Sequence, residues 1–186
     1  MFMLAISPGR GTEAVRWKTV LASGIDGLML REKQLETRPL LDLVKRLQDL
    51  APQVELWVNG RLDVALATGC GLHAPEHYPE VPPGLLPLSR PIHSEEQLPE
   101  RADCRQLLLG PIFSVPGKGT PWGVERLQRV LDGIPTGPRV LALGGIAPTN
   151  SAALRHPRLD GIALIRALMD APEPIRVVEA FRRSWA

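Results

Sequence analysis

The feature that most constrains this chain is its rhythm. Short apolar runs recur from the first residues to the last, and most are followed by a segment with helical spacing. Residues 2–7 form the first run. Gly27-Leu28-Met29-Leu30, Val54 to Val58, Gly71-Leu72-His73, Leu88 to Ile92, Gln106 to Gly110, Val140 to Ile146 and Gly161 to Ile165 follow. Runs this short and this apolar read as parallel strands buried on both faces, and the segments between them read as crossover helices. Trp17, Val20 and Leu21 share one helical face behind Thr12, a candidate N-cap, and Leu40, Leu43, Val44, Leu47 and Leu50 share another behind Pro39. Asp63 to Thr68 form a short helix that stops at Gly69. Ser94 with Glu95 and Glu96 reads as another helix start, Val124, Leu127, Val130 and Leu131 mark a sixth helix, and Ile175, Val178, Phe181 and Trp185 mark the closing one. Four prolines between Pro79 and Pro87 leave no room for a regular fourth helix. Eight strands in unbroken alternation predict an α/β fold: a single-domain (β/α)8 TIM barrel over residues 1–186, compact, with a degenerate fourth helix. Such barrels usually take about 250 residues, so the loops of this 186-residue chain must be near their minimum.

Composition narrows the function classes. The net charge is +2, without a run of like charge, and aromatic residues make up 4%, too few for base-stacking platforms, so nucleic acid is not expected as a partner. Cys70 and Cys104 lie in no metal-ligand spacing and read as buried thiols. The chain opens on a strand-like Phe2-Met3-Leu4-Ala5-Ile6 rather than a basic leader, and no apolar run is long enough to span a bilayer. A cytoplasmic protein with no membrane partner is expected; a homo-oligomer is left open.

In a barrel of this kind the chemistry sits where the strands end. The residues there are Arg31, Lys33, Asn59, His73, His93, Lys118, Gly145 and Arg166. Gly144-Gly145 after the seventh strand and Ile165-Arg166 after the eighth form two neighbouring turns whose free amides suit a phosphate, although a glycine pair after a strand is also an ordinary turn. Arg31 and Lys33 read either as a solvated turn or as cations facing an anionic substrate. Lys118, between Gly117 and Gly119, sits in a loop flexible enough to bring its ammonium over a phosphate or to leave it in water. His73 and His93 are the two histidines at this rim, where a hydrogen-bonded structural role competes with catalysis.

Several of these pieces together resemble one family. Leu30-Arg31-Glu32-Lys33, Val58-Asn59-Gly60-Arg61-Leu62-Asp63, Gly71-Leu72-His73, His93-Ser94-Glu95-Glu96, Gly110-Pro111-Ile112-Phe113, Leu143-Gly144-Gly145-Ile146 and Gly161-Ile162-Ala163 are similar, in order, to the thiamine-phosphate synthase and TenI family. The resemblance runs from about residue 27 to 169 and implies the same barrel. It implies two activities: a Mg²⁺-dependent synthase that joins a pyrimidine diphosphate to a thiazole phosphate, and a TenI tautomerase that isomerises a thiazole carboxylate phosphate.

The chain departs from the synthase pattern at Gly60, where an Asp ligand to Mg²⁺ is expected. It departs again at His77-Tyr78, where a second Asp belongs although Glu76 is near, and at Val115 and Gly117, where hydroxyls are expected. Asn59-Gly60-Arg61 and Arg90 through Glu96 look more like TenI, whereas Lys33 resembles the synthase and Pro111 replaces the histidine that the tautomerase carries after the sixth strand. The expectation is therefore a TenI-like thiazole tautomerase of thiamine biosynthesis, an isomerase without metal or other cofactor. Its partner is a small-molecule thiazole phosphate. His93 or His73 is the acid/base, Arg31, Lys33, Asn59 and Lys118 bind substrate, and Gly144, Gly145, Ile165 and Arg166 hold phosphate. The alternatives are a divergent thiamine-phosphate synthase and a non-catalytic thiazole-phosphate-binding or regulatory relative.

Overall fold

The structure, a computed structural model, describes residues 1–10, 17–101, 103–134 and 136–186. Eight parallel strands close on one another in chain order: β1 (Phe2–Ile6), β2 (Gly27–Leu30), β3 (Glu55–Asn59), β4 (Gly71–His73), β5 (Leu88–Ile92), β6 (Gln106–Leu109), β7 (Arg139–Leu143) and β8 (Gly161–Leu164). Closure is made at β1, where Leu4 stands opposite Gly27 of β2 on one side and Phe2 opposite Gly161 of β8 on the other. The fold is the (β/α)8 barrel that the alternation predicts.

Because successive side chains on a strand face opposite ways, each apolar run feeds two cores. Leu4, Ile6, Met29, Trp57, Leu108, Leu141 and Ala163 fill the barrel interior. Leu28, Leu30, Val58, Leu72, Ile92, Leu107, Val140 and Ile162 belong to the larger core that also takes in the buried helix residues. Inside the barrel the largest side chain dictates its neighbour: a Cβ on Gly71 would lie 2.3 Å from Cε3 of Trp57, so only glycine lets the indole lie against β4.

The helices are α1 (Trp17–Leu21), α2 (Thr37–Leu50), α3 (Leu62–Thr68), α4 (Gly123–Gly133), α5 (Pro148–Ser151), α6 (Arg166–Met169) and α7 (Pro174–Trp185). α2 buries Leu40, Leu43, Val44 and Leu47, as their spacing predicts, and begins two residues before Pro39. Leu50, expected on the same face, is 44% exposed at the last turn. Thr12, the candidate cap of α1, lies outside the described residues. Ala74 to Pro87 cross from β4 to β5 with no helix, in keeping with their prolines.

One expectation needs correction. Ser94 does not open an α-helix but two 3-10 turns, Glu95–Gln97 and Pro99–Arg101. Pro99 cannot donate the hydrogen bond that would carry an α-helix onward, and the ladder stays tight, with Leu98 N–H donating to Glu95 O at 3.1 Å and Arg101 N–H to Leu98 O at 3.1 Å. No helix among the described residues is long and apolar enough to cross a membrane.

Candidate active site

The candidate residues all lie at or just beyond the C-terminal strand ends. Arg31 and Lys33 leave β2, Asn59 ends β3, His73 ends β4, His93 follows β5, Lys118 lies in the loop after β6, Gly144-Gly145 follow β7 and Ile165-Arg166 follow β8. Leu143 pairs with Ala163, two residues before Gly145 and Ile165, so the two turns rise side by side.

The glycine pair has a packing duty that its sequence did not announce. Gly144 and Gly145 adopt φ of 105° and 64°, and a Cβ on either would come within 2.7 Å of the loop after β6, at Pro111 and Phe113 respectively. That loop is stitched to them: Ile112 N–H donates to Leu143 O at 2.9 Å and Phe113 N–H to Gly144 O at 3.0 Å. Asn150 completes the turn, accepting from Ala147 N–H at 2.8 Å and donating to Gly145 O at 3.0 Å. The N–H groups of Gly145 and Ile165 make no hydrogen bond among the described residues, which leaves two donors from adjacent turns for an anion. Lys33, Lys118 and Arg166 are exposed and Arg31 is half-buried, its own N–H donating to Ser7 Oγ at 2.8 Å.

The two histidines differ. His73 is 7% exposed, and burial, reinforced by the charge of Arg90 and by His93, Arg101 and Arg31, pushes its pKa down to about 3. It is neutral at neutral pH and a poor proton acceptor. His93 is open to solvent. Its Nδ1 lies 2.8 Å from the carbonyl of Gly110, which can only accept, so Nδ1 carries a proton, and Nε2 lies 3.9 Å from Glu76 Oε2. Glu76 is held in turn by Gln97 Nε2 at 3.2 Å, while Gln97 Oε1 accepts from His93 N–H at 2.8 Å. His93 thus stands against the residue immediately before Pro111, the position where a tautomerase histidine was expected and is missing.

Asn59 is half-buried, and beyond it Gly60 N–H donates to His73 O at 2.9 Å. Arg61 is engaged with Asp63 at 2.7 Å, Thr37 Oγ1 at 2.5 Å and Leu35 O at 3.1 Å, and its hydrogen bond to Asp63 holds that carboxyl below its usual range. Burial pushes both thiols up, Cys104 to about 11, which suits the inert role read for them.

A polar thread through the barrel interior was missed. His73 Nδ1 lies 2.9 Å from Ser89 Oγ, Gln106 Nε2 lies 3.3 Å from the same hydroxyl, and Arg139 Nη1 donates to Gln106 Oε1 at 3.3 Å and to Glu55 Oε2 at 2.8 Å. Phe2 covers the far end, its ring centroid 3.8 Å from the guanidinium carbon of Arg139. Ser89, Gln106 and Glu55 were legible as polar residues inside strand runs, Arg139 lies one residue before the run that starts at Val140, and period-two spacing puts all four on the inner face.

The donor set does not fit a Mg²⁺ anchor. Among the described residues no three His, Cys, Asp or Glu side chains gather as a metal site, Gly60 offers no ligand atom, and Glu76 is engaged with Gln97 and His93.

No protein-family model matches the chain. Known proteins do. It is 35% identical over 165 residues to a thiamine-phosphate synthase of Albidiferax ferrireducens, covering 81% of this chain and 74% of that one. It is 32% identical over 180 residues to one of Archaeoglobus fulgidus, covering 88% and 84%. Among solved structures, thiamine phosphate pyrophosphorylase from Pyrococcus furiosus superposes with a TM-score of 0.84 at 23% identity, over 99% of this chain and 95% of that one. Orotidine 5'-phosphate decarboxylase from Pyrococcus horikoshii superposes at 0.75 and 15%, over 100% and 99%, a likeness of fold alone. The closer likeness to TenI expected from Asn59-Gly60-Arg61 finds no support in these relatives, whose names are those of the synthase. A chain of this form, more than four-fifths of which aligns with each of two synthases at 32–35% identity, belongs to the thiamine-phosphate synthase family.

Proposed function

We propose that the protein is a thiazole-phosphate enzyme of thiamine biosynthesis, and that its reaction is the coupling for which its relatives are named. A pyrimidine diphosphate and a thiazole phosphate are joined, a carbon–nitrogen bond forms, and diphosphate leaves. The observation that carries this reading is the likeness to synthases over more than four-fifths of the chain. The free amides of Gly145 and Ile165, with Gly144 shaping the turn and Arg166 beside it, receive the thiazole phosphate. Arg31, Lys33 and Lys118 surround the diphosphate, and Asn59 orients the substrates between them. Since the carboxylates among the described residues do not assemble a Mg²⁺ anchor, these cations take the charge that builds on the leaving group.

A second reading rests on one specific arrangement. His93, with Nδ1 against Gly110 O and Nε2 toward Glu76, stands beside Pro111, where the tautomerase histidine is absent, and in this reading it moves a proton between ring positions of a thiazole carboxylate phosphate. Product analysis separates the two. The purified protein is given pyrimidine diphosphate and thiazole phosphate across a Mg²⁺ titration and with EDTA, and separately given the thiazole carboxylate phosphate alone. Coupled product is the expected outcome. Isomerisation without coupling transfers the assignment to the tautomerase, and calorimetric binding without turnover of either kind leaves a non-catalytic binding protein.

A further inference from the structure

We infer that His73 is a fixed, neutral hydrogen-bond donor at the floor of the site, with its proton held on Nε2 by a relay of Arg139, Gln106 and Ser89 that runs through the barrel interior, and that it receives an acceptor atom of the substrate ring. The relay has only one self-consistent arrangement of protons. Arg139 can only donate, so the Gln106 atom facing it is Oε1 and the atom facing Ser89 is the NH₂ group, which donates. Ser89 is fully buried, and its hydroxyl has two partners among the described residues, Gln106 Nε2 and His73 Nδ1. Were Nδ1 the donor, the serine proton would be enclosed with nothing to accept it, a cost that buried polar groups avoid. The serine therefore donates to Nδ1, and the ring proton stands on Nε2.

Glu55 makes the direction permanent. It pairs with Arg139 at 2.8 Å and with Arg105 at 3.5 Å, so the guanidinium that starts the relay is anchored at the opposite end of the barrel from the site. At the other end, His73 pairs in register with Asn59 across β3 and β4, and Nε2 makes no hydrogen bond among the described residues. The charged groups that act on the ring are Arg90, His93, Arg101 and Arg31; the cations among them oppose a second proton, and burial opposes it more strongly still. A neutral N–H next to Asn59 suits a ring nitrogen of the substrate. His73 is thus a positioning donor, in contrast to His93. The substrate half of this inference rests on the proposed function; the tautomer half does not.

The test is long-range ¹H–¹⁵N correlation spectroscopy of the histidine rings in the intact protein, followed by calorimetry with thiazole phosphate. His73 is expected to show the Nε2–H pattern unchanged from about pH 5 to 8, and Gln106→Leu is expected to lose that single pattern. An Nδ1–H pattern, or titration near neutrality, overturns the inference. In the binding arm, His73→Ala is expected to weaken thiazole phosphate roughly tenfold while His73→Gln, which returns an N–H near the Nε2 position, recovers most of the loss. Equal affinity in His73→Ala and wild type overturns the substrate half. If the wild type itself does not bind thiazole phosphate, the proposed function fails with the substrate half, and the ring spectra alone decide the tautomer.

Discussion

At the residue scale, the two histidines at the rim show how placement divides one chemistry into two roles. His93 keeps its imidazole in solvent contact with Glu76 on one nitrogen and a carbonyl on the other, so its alanine variant belongs in the turnover assay. If the tautomerase reading holds, His93→Ala should lower the rate by about 10²–10⁴-fold, with Glu76→Gln losing less. Full rate in both would remove His93 from the chemistry. His73 bears instead on stability. Its pKa falls from 6.5 to about 3 on folding, so below pH 6.5 the unfolded chain binds a proton that the native state refuses. The stabilisation is complete above pH 6.5 and is lost as pH falls toward 3, at up to about 1.4 kcal/mol per pH unit from this one group. Chemical denaturation at pH 7 and pH 4.5 should show a steeper loss in wild type than in His73→Gln. Gly145→Asp is a poor probe of phosphate binding, because any Cβ there meets Phe113 at 2.7 Å. Lys118→Ala and Arg166→Ala are cleaner. Both side chains are exposed, and each change should leave stability within about 0.5 kcal/mol while weakening thiazole phosphate severalfold by calorimetry.

At the element scale, the chain announced its strands well because burial on both faces leaves so few residue types to choose from. β2, β4, β5 and the apolar centres of β6, β7 and β8 were legible as runs, and α2 was legible from the face made by Leu40, Leu43, Val44 and Leu47. The boundaries near proline were less so. Ser94-Glu95-Glu96 has the composition of a helix start, but Pro99 three residues on halts the α ladder, a conflict that only the backbone resolves. The site was legible as a set of strand ends. What could not be read was which atoms face one another: that Gly144-Gly145 is pressed by the loop after β6, that Glu76 reaches His93, or that Ser89 and Gln106 join His73 to Arg139. Those contacts join residues from different strands and loops, and no local spacing encodes them. Trp57 and Gly71 form one such pair that can be tested directly. Gly71→Ala would force a methyl to within 2.3 Å of the indole in a filled interior and should cost about 1–3 kcal/mol or more by denaturation. Trp57→Leu in the same chain should recover part of that loss, and strict additivity of the two changes would mean that the clash is relieved elsewhere.

At the scale of the whole molecule, closure is the property that sets behaviour. β1 is hydrogen-bonded to β2 and β8 at once, so the first and last quarters of the chain complete one sheet and neither end has an edge to leave by. α7 fastens the same seam from outside. Arg182 donates to Gly24 O at 2.8 Å and meets Asp26 at 3.1 Å, and Asp26 in turn accepts from Met3 N–H at 2.8 Å. Phe181, fully buried, carries the apolar part of that docking. An open αβ array could lose its last helix while the remainder stayed folded; a closed barrel whose seam depends on that helix should not. Phe181→Ala is therefore expected to destabilise the entire molecule by about 3–5 kcal/mol rather than to fray its C-terminus. The measurement is urea unfolding followed by far-UV circular dichroism and by tryptophan fluorescence. Trp17 near the start, Trp57 inside the barrel, Trp122 before α4 and Trp185 in α7 report from separate parts of the chain. Coincident transitions in wild type, shifted together in the variant, would identify residues 1–186 as one cooperative domain. A fluorescence transition that moves alone, ahead of the dichroism, would show that α7 and the seam melt separately and that the barrel is held shut by its strands without them.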